Sequence, residues 1–160
     1  MDIDWGNFLF SFNGRLNRAR YWLWVLIYVV VAVFVGIIVY AIDAPMITGI
    51  LNFAVGIALL VSGLAIATKR LHDRGKSAWW LLVFYLVPGV LIGVGVGLSL
   101  GSALSGGDSG LGIMGYVLSL AGLGIVIWAF VELGCLRGTV GPNQYGPDPL
   151  GAAPAHWGAR

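Results

Sequence analysis

The residues able to do chemistry stand in two basic groups. Arg15, Arg18 and Arg20 precede the first long uncharged stretch, and Lys69, Arg70, His72, Asp73, Arg74 and Lys76 crowd a single segment further on. A histidine beside a carboxylate is material for acid–base catalysis, and arginines around it could hold a phosphate. Adjacent residues on a helix do not face one another, however, so His72 and Asp73 do not make a simple dyad. No nucleophile, metal-ligand set or phosphate loop accompanies them. The lone cysteine, Cys135, allows no internal disulfide and belongs to no metal pattern. The residues therefore indicate no catalytic group, no cofactor and no metal. Basic side chains at a membrane surface can instead attract anionic lipid, each contributing on the order of 1 kcal/mol.

The elements that carry these groups are apolar. Of 160 residues, 59% are hydrophobic and 10% charged, and mean hydropathy is +0.90. A soluble domain is about a quarter charged, and one this small could not bury so much apolar surface. The composition excludes a soluble globular enzyme, a disordered tail and a disulfide-built secreted domain. Nucleic-acid binding is excluded as well, because the basic residues hug hydrophobic segments.

A helical span needs roughly 20 mainly apolar residues. Four stretches qualify, at about 21–42, 45–68, 77–100 and 111–134. The expected fold is all-α: one integral-membrane four-helix bundle over 1–160, built from two antiparallel hairpins. The first apolar run is longer than a signal-peptide core and lacks a clean cleavage site, so it reads as an anchor. Asp43-Ala44-Pro45 suits a capped helix start, and so short a loop predicts a tight first hairpin. Gly101–Gly110 reads as a flexible neutral loop. All nine Lys and Arg fall on one side of these spans, whereas the opposite loops hold only Asp43 and Asp108. The positive-inside rule then predicts that the lead-in 1–20 and the tail 137–160 are both cytoplasmic.

Within the lead-in, Trp5, Phe8, Leu9, Phe12 and Leu16 recur at helical spacing, with Asp4 as cap and Gly14 as stop. They read either as an interfacial amphipathic helix or as a loosely ordered aromatic lead-in. Tyr21, Trp22, Trp24, Trp79 and Trp80 read as interface anchors. In the third span Gly89, Gly93, Gly97 and Gly101 recur every fourth residue, a small-residue spacing suited to helix packing in lipid or to homo-oligomerisation. Gly49, Gly56 and Gly63 recur in the second span, with Ala32/Gly36 and Gly115/Ser119 as weaker pairs. Pro88 predicts a kink. Asn52 reads as an interhelical hydrogen bonder, and Glu132 as an intramembrane ion-pair partner of Arg15, Arg18 or Arg70. So few buried polar groups argue against a transport path.

Three segments are recognisable together. Phe12 to Trp22 has the form F-x-G-R-x-x-R-x-x-Y-W, Arg70 to Trp80 the form R-L-H-D-x-G-x-S-x-W-W, and Gly138 to Pro149 ends in N-x-Y-G-x-D-P. Together they resemble the bacterial inner-membrane family filed as domain of unknown function 805, from about Phe8 to Pro149. Arg20 and Ala78 depart from that pattern, where an acid and a glycine are common. The resemblance implies membrane class and no reaction.

Because the motifs share one membrane face, Arg15, Arg18, Arg70, His72, Asp73, Arg74, Asn143, Tyr145 and Asp148 are expected to form one polar cluster. That cluster reads as a structural lock or as a site for anionic lipid or a partner protein of unknown identity. The alternatives are a small transporter or channel subunit assembled through the third-span glycines, and an interface enzyme acting on a phosphate-bearing headgroup. Pro147-Asp148-Pro149 reads as a rigid turn, followed by a mobile tail in which His156 has no role.

Overall fold

The computed structural model describes residues 4–42, 44–106 and 109–151. The described residues form helices and loops without a β-strand: α1 (Trp5–Phe10), α2 (Arg18–Ala41), α3 (Pro45–Asp73), α4 (Val87–Leu104) and α5 (Ser109–Phe130). Four stretches are long and apolar enough to cross a membrane: Arg18–Ala41, Pro45–Asp73, Leu82–Leu104 and Gly110–Cys135. The fold is thus all-α with four long apolar helices, as expected. The second span runs further than the uncharged stretch, because α3 continues through the basic segment to Asp73. The chain divides into two compact units: the described parts of Met1–Ser77 with Arg137–Arg160, and Ala78–Leu136.

In the first unit each helix start has a local cause. The Asp4 carboxylate caps α1, accepting from the Asn7 amide at 3.1 Å, and the Asn17 side chain caps α2, accepting from Arg20 N at 3.0 Å. α1 is shorter than the aromatic spacing suggested. It ends at Phe10, and Leu16 is buried by the loop that follows, not by the helix. Phe8, Leu16 and Ile66 form a small core flanked by Leu9, Tyr21 and Trp24. The start of α3 differs from expectation too. Its N-cap is Ala44, without a side-chain cap, and Pro45 sits in the first turn. Asp43, expected there as the cap, lies outside the described residues, as does Asp108.

α2 and α3 meet through an indole. Trp24 Nε1 donates to Ser62 Oγ at 2.7 Å, and its ring lies 3.2 Å from where a Cβ on Gly63 would stand. Gly36, Gly49 and Gly56 have no atom within 4 Å of that position, so backbone-close packing is absent along the rest of this pair. The tight hairpin expected from the short loop is held by a large side chain near one end. Asn52 lies on an exposed face of α3 and not between helices.

The second unit is a hairpin packed backbone to backbone. A Cβ on Gly95 would stand 2.5 Å from Gly115 O, and one on Gly115 would stand 2.4 Å from Gly95 O. A Cβ on Gly122 would meet Ile92 Cγ1 at 2.7 Å. Ser99 Oγ donates across the interface to Gly112 O at 3.3 Å. The packing rows are therefore Pro88, Ile92, Gly95, Ser99 and Ser102 on α4 against Gly112, Gly115, Ser119 and Gly122 on α5. The row read as the packing face is not used here: Gly89, Gly93, Gly97 and Gly101 are exposed, with nothing within 4 Å. Residues four apart advance about 40° around a helix at 3.6 residues per turn, so a strict fourfold row winds off the contact line. Alternating steps of three and four stay on it. Ahead of Pro88 the kink takes the form of a π-helical turn, Leu82–Leu86. Proline lacks the N–H that would bond the preceding turn. Trp80, Phe84 and Trp128 pack edge-to-face and tilted beside that turn, so Trp80 is a packing residue, while Trp22 and Trp79 are exposed as anchors should be.

Candidate functional site

The polar cluster lies within the first unit and is centred on Asp73, the last residue of α3. A Schellman motif ends that helix: Gly75 N donates to His72 O at 3.0 Å and Lys76 N to Leu71 O at 2.8 Å. Gly75 takes φ +71°, a left-handed conformation that side chains resist. The reversal points the Asp73 carboxylate at two guanidinium groups. Arg15 Nε and Nη2 donate to Oδ1 at 3.1 and 3.0 Å, and Arg70 Nη1 donates to Oδ2 at 2.5 Å. Exposure of these three side chains is 1% for Arg15, 0% for Arg70 and 4% for Asp73.

The third motif closes over this trio. Thr139 N and Oγ1 donate to Asp73 O at 2.8 and 3.1 Å. Arg15 Nη2 also donates to Thr139 O, and Nη1 to Gly141 O, both at 2.6 Å. A longer bond of 3.3 Å joins Arg15 Nη1 to Gly146 O. Gly138 permits the approach, because a Cβ there would stand 2.0 Å from Asp73 Oδ2. Asn143 Nδ2 donates to His72 O at 2.9 Å and its Oδ1 accepts from Tyr145 N at 2.9 Å, while Asn143 and Gly146 exchange a pair of backbone bonds at 3.0 Å. The Tyr145 ring then stacks on His72, with centroids 3.9 Å apart and planes 4° from parallel. His72 Nδ1 lies 3.2 Å from Gly14 O, so the ring bridges the first and third motifs.

Asp148 joins through the backbone, accepting from Gly141 N at 3.0 Å and Leu150 N at 2.9 Å. Those two N–H groups, with help from the Arg15 and Arg137 charges, hold its pKa below the usual carboxylate range. The Pro147-Asp148-Pro149 turn is thus pinned by its carboxylate. Arg74 Nη1 donates to Arg137 O. Arg18 lines a cavity of about 20 Å³ with Asp73, Arg137, Thr139 and Asp148, room for one water. All nine residues expected in the cluster lie in one unit, and eight of them are tied into the loop contacts just described. Sequence reasoning missed Thr139, Gly138 and the carbonyls of Gly141 and Gly146. Apart from the Thr139 hydroxyl, those groups act through backbone atoms or through the lack of a side chain, and residue type signals neither. His156 and Arg160 lie outside the described residues.

A second arrangement ties α1 to α3. Lys69 is 4% exposed, and its Nζ donates to Asn7 O at 2.9 Å and Phe8 O at 2.6 Å. The ammonium also stands 5.8 Å from the Phe8 ring centroid. It faces a cleft of about 500 Å³ lined by Asp4, Asn7, Ser11, Asn13, Arg20 and other residues of this unit. Glu132 is buried in the second unit, in the π-helical turn Val131–Cys135 that follows α5. The charged partner that Arg15 and Arg70 share is Asp73. Among the described residues no three His, Cys, Asp or Glu side chains converge as a metal site.

Four apolar spans with charged loops locked at one end of the first pair define a helical integral membrane protein. The chain belongs to the family described as Protein of unknown function (DUF805), whose model matches residues 9–147. It is 26% identical to Inner membrane protein YhaH of Escherichia coli strain K12 over 141 residues, covering 87% of each chain. It is 30% identical over 142 residues to Uncharacterized protein YiiR of the same organism, covering 88% of this chain and 86% of that one. Inner membrane protein YhaI is 27% identical over 141 residues. No solved structure matches. The names of YhaH and YhaI place those two at the inner membrane, and none of the three names states a reaction.

Proposed function

We propose that this protein is a non-enzymatic inner-membrane component whose cytoplasmic face holds anionic lipid headgroups. One observation carries the reading: the polar cluster consumes its own chemistry. Arg15, Arg70 and Asp73 are buried and mutually bonded, and the His72 ring is stacked and pinned between two loops. A buried, saturated network suits a lock more than a catalyst, because catalysis needs donors or acceptors left open for a substrate. Among the described residues, the basic side chains at the surface are Arg18, Arg20 and Arg137, with Arg74 and Lys76 half-buried. They stand where an anionic leaflet would meet them if both termini are cytoplasmic.

Two measurements test the parts separately. Cys135 is the chain's single cysteine and is exposed beside Arg137, which makes it a natural orientation probe. A membrane-impermeant maleimide should label it in inverted inner-membrane vesicles and leave it unlabelled in intact spheroplasts; the reverse pattern overturns the orientation. Native mass spectrometry of protein released from mixed nanodiscs should then find phosphatidylglycerol retained over phosphatidylcholine. Equal retention of the two overturns lipid binding.

A further inference from the structure

We propose that the cleft between α1 and the end of α3 is a binding site for a phosphate-bearing group, reached by a lipid headgroup or by free phosphate. The inference rests on the anionic-lipid reading above and assigns it to one place, distinct from the Asp73 network. Its first support is the Lys69 ammonium. A buried cation is costly unless something neutralises it, yet among the described residues no carboxylate forms an ion pair with Lys69. Two of its three N–H groups go to the Asn7 and Phe8 carbonyls, and no described residue accepts the third.

The second support is the set of donors around it. Arg20 is exposed and lines the cleft, and its guanidinium has no partner among the described residues. The Asn13 side-chain amide and the Ser11 hydroxyl proton are also uncommitted there, since Ser11 Oγ only accepts, from Asn13 N at 3.2 Å. Two other charges on the lining are already engaged: Arg15 by Asp73 and the third motif, and Asp4 by the Asn7 amides at 3.1 and 3.0 Å. A ring of spare donors with one buried and one exposed cation matches a tetrahedral oxyanion. The volume of about 500 Å³ is that of a small-molecule site. Trp5, Phe10 and Phe12 are each more than two-fifths exposed on the same short segment, as suits a segment lying at a headgroup layer.

The test uses the full chain in nanodiscs of phosphatidylglycerol and phosphatidylcholine, with the variants Arg20→Gln, Lys69→Met and Arg137→Gln. Arg20→Gln breaks no internal contact and should lower phosphatidylglycerol retention about fivefold, the weight of one basic group at a membrane surface. Lys69→Met should lower it at least as much, and hydrogen exchange over residues 5–16 reports whether α1 stays docked. Arg137→Gln removes a surface basic group outside the cleft and should cost less than either cleft variant. Wild-type retention in both Arg20→Gln and Lys69→Met overturns the cleft. If retention then falls in Arg137→Gln, the anionic-lipid reading survives without it. In a second arm, inorganic phosphate is titrated against the detergent-solubilised protein. Binding that depends on Arg20, without phosphatidylglycerol enrichment, keeps the cleft and makes its ligand a soluble phosphate. Neither lipid enrichment nor phosphate binding overturns cleft and lipid reading together.

Discussion

The two units solve the same problem, holding helices together where lipid provides no hydrophobic drive, by opposite means. In the first, α2 and α3 meet near one end around the Trp24 indole, and order comes from loops: two arginines and a threonine converge on Asp73, with Gly138 leaving room for the carboxylate. In the second, α4 and α5 meet along their length through Gly95, Gly115, Gly122 and serines, close enough that backbone oxygens occupy the space a Cβ would need. The first is specified by directional polar bonds and the second by shape. A polar lock has a few critical atoms whose loss strands buried charges, whereas a packed interface spreads its cost over many weak contacts.

Breaking the lock should produce the largest effect. Asp73→Ala removes the carboxylate that the buried Arg15 and Arg70 share, and about 3–5 kcal/mol of stability should be lost. Thermal unfolding in detergent, with Trp24 fluorescence as a reporter of the first unit, measures it; a loss under about 1 kcal/mol would mean the trio is incidental. Overfilling the hairpin comes next. Gly95→Ala or Gly115→Ala should cost about 1–3 kcal/mol, while Gly93→Ala and Gly97→Ala on the open face should stay within about 0.5 kcal/mol. Equal losses at all four positions would show that the open row is covered in the membrane, by a second copy or another partner.

The smallest effect sharpens the polar side. Because the Asp148 pKa is lowered in the folded protein, its contribution is present above the unfolded carboxylate pKa of about 4 and is lost as pH falls through the lowered folded value. Hydrogen exchange at Gly141 and Leu150, whose amides bond Asp148, should quicken only in that acid window. In Asp148→Asn the same two amides should lose this pH dependence, and an unchanged profile in the variant would assign the protection to another group.

Legibility followed the kind of information involved. The four spans, the caps at Asp4 and Asn17 and the gathering of Arg15, Arg70, His72, Asp73, Asn143 and Tyr145 all depend on local composition or on motif membership, though Asn17 was not singled out in advance. The short α1, the indole contact at Ser62, the Gly95 row and the carbonyl acceptors of residues 139–146 were not legible. They depend on helix rotation and on where loop carbonyls point.

By itself the sequence determined that the chain crosses a membrane, how many times, and which loops are basic, because hydropathy and charge add along a chain without reference to its folding. Only the tertiary structure decided that Arg15 and Arg70 are spent on Asp73 while Arg20 and Lys69 keep donors to spare. The physical reason is that a hydrogen bond depends on distance and direction. Residue type names the donors, but only the path of the backbone determines which of them are already satisfied.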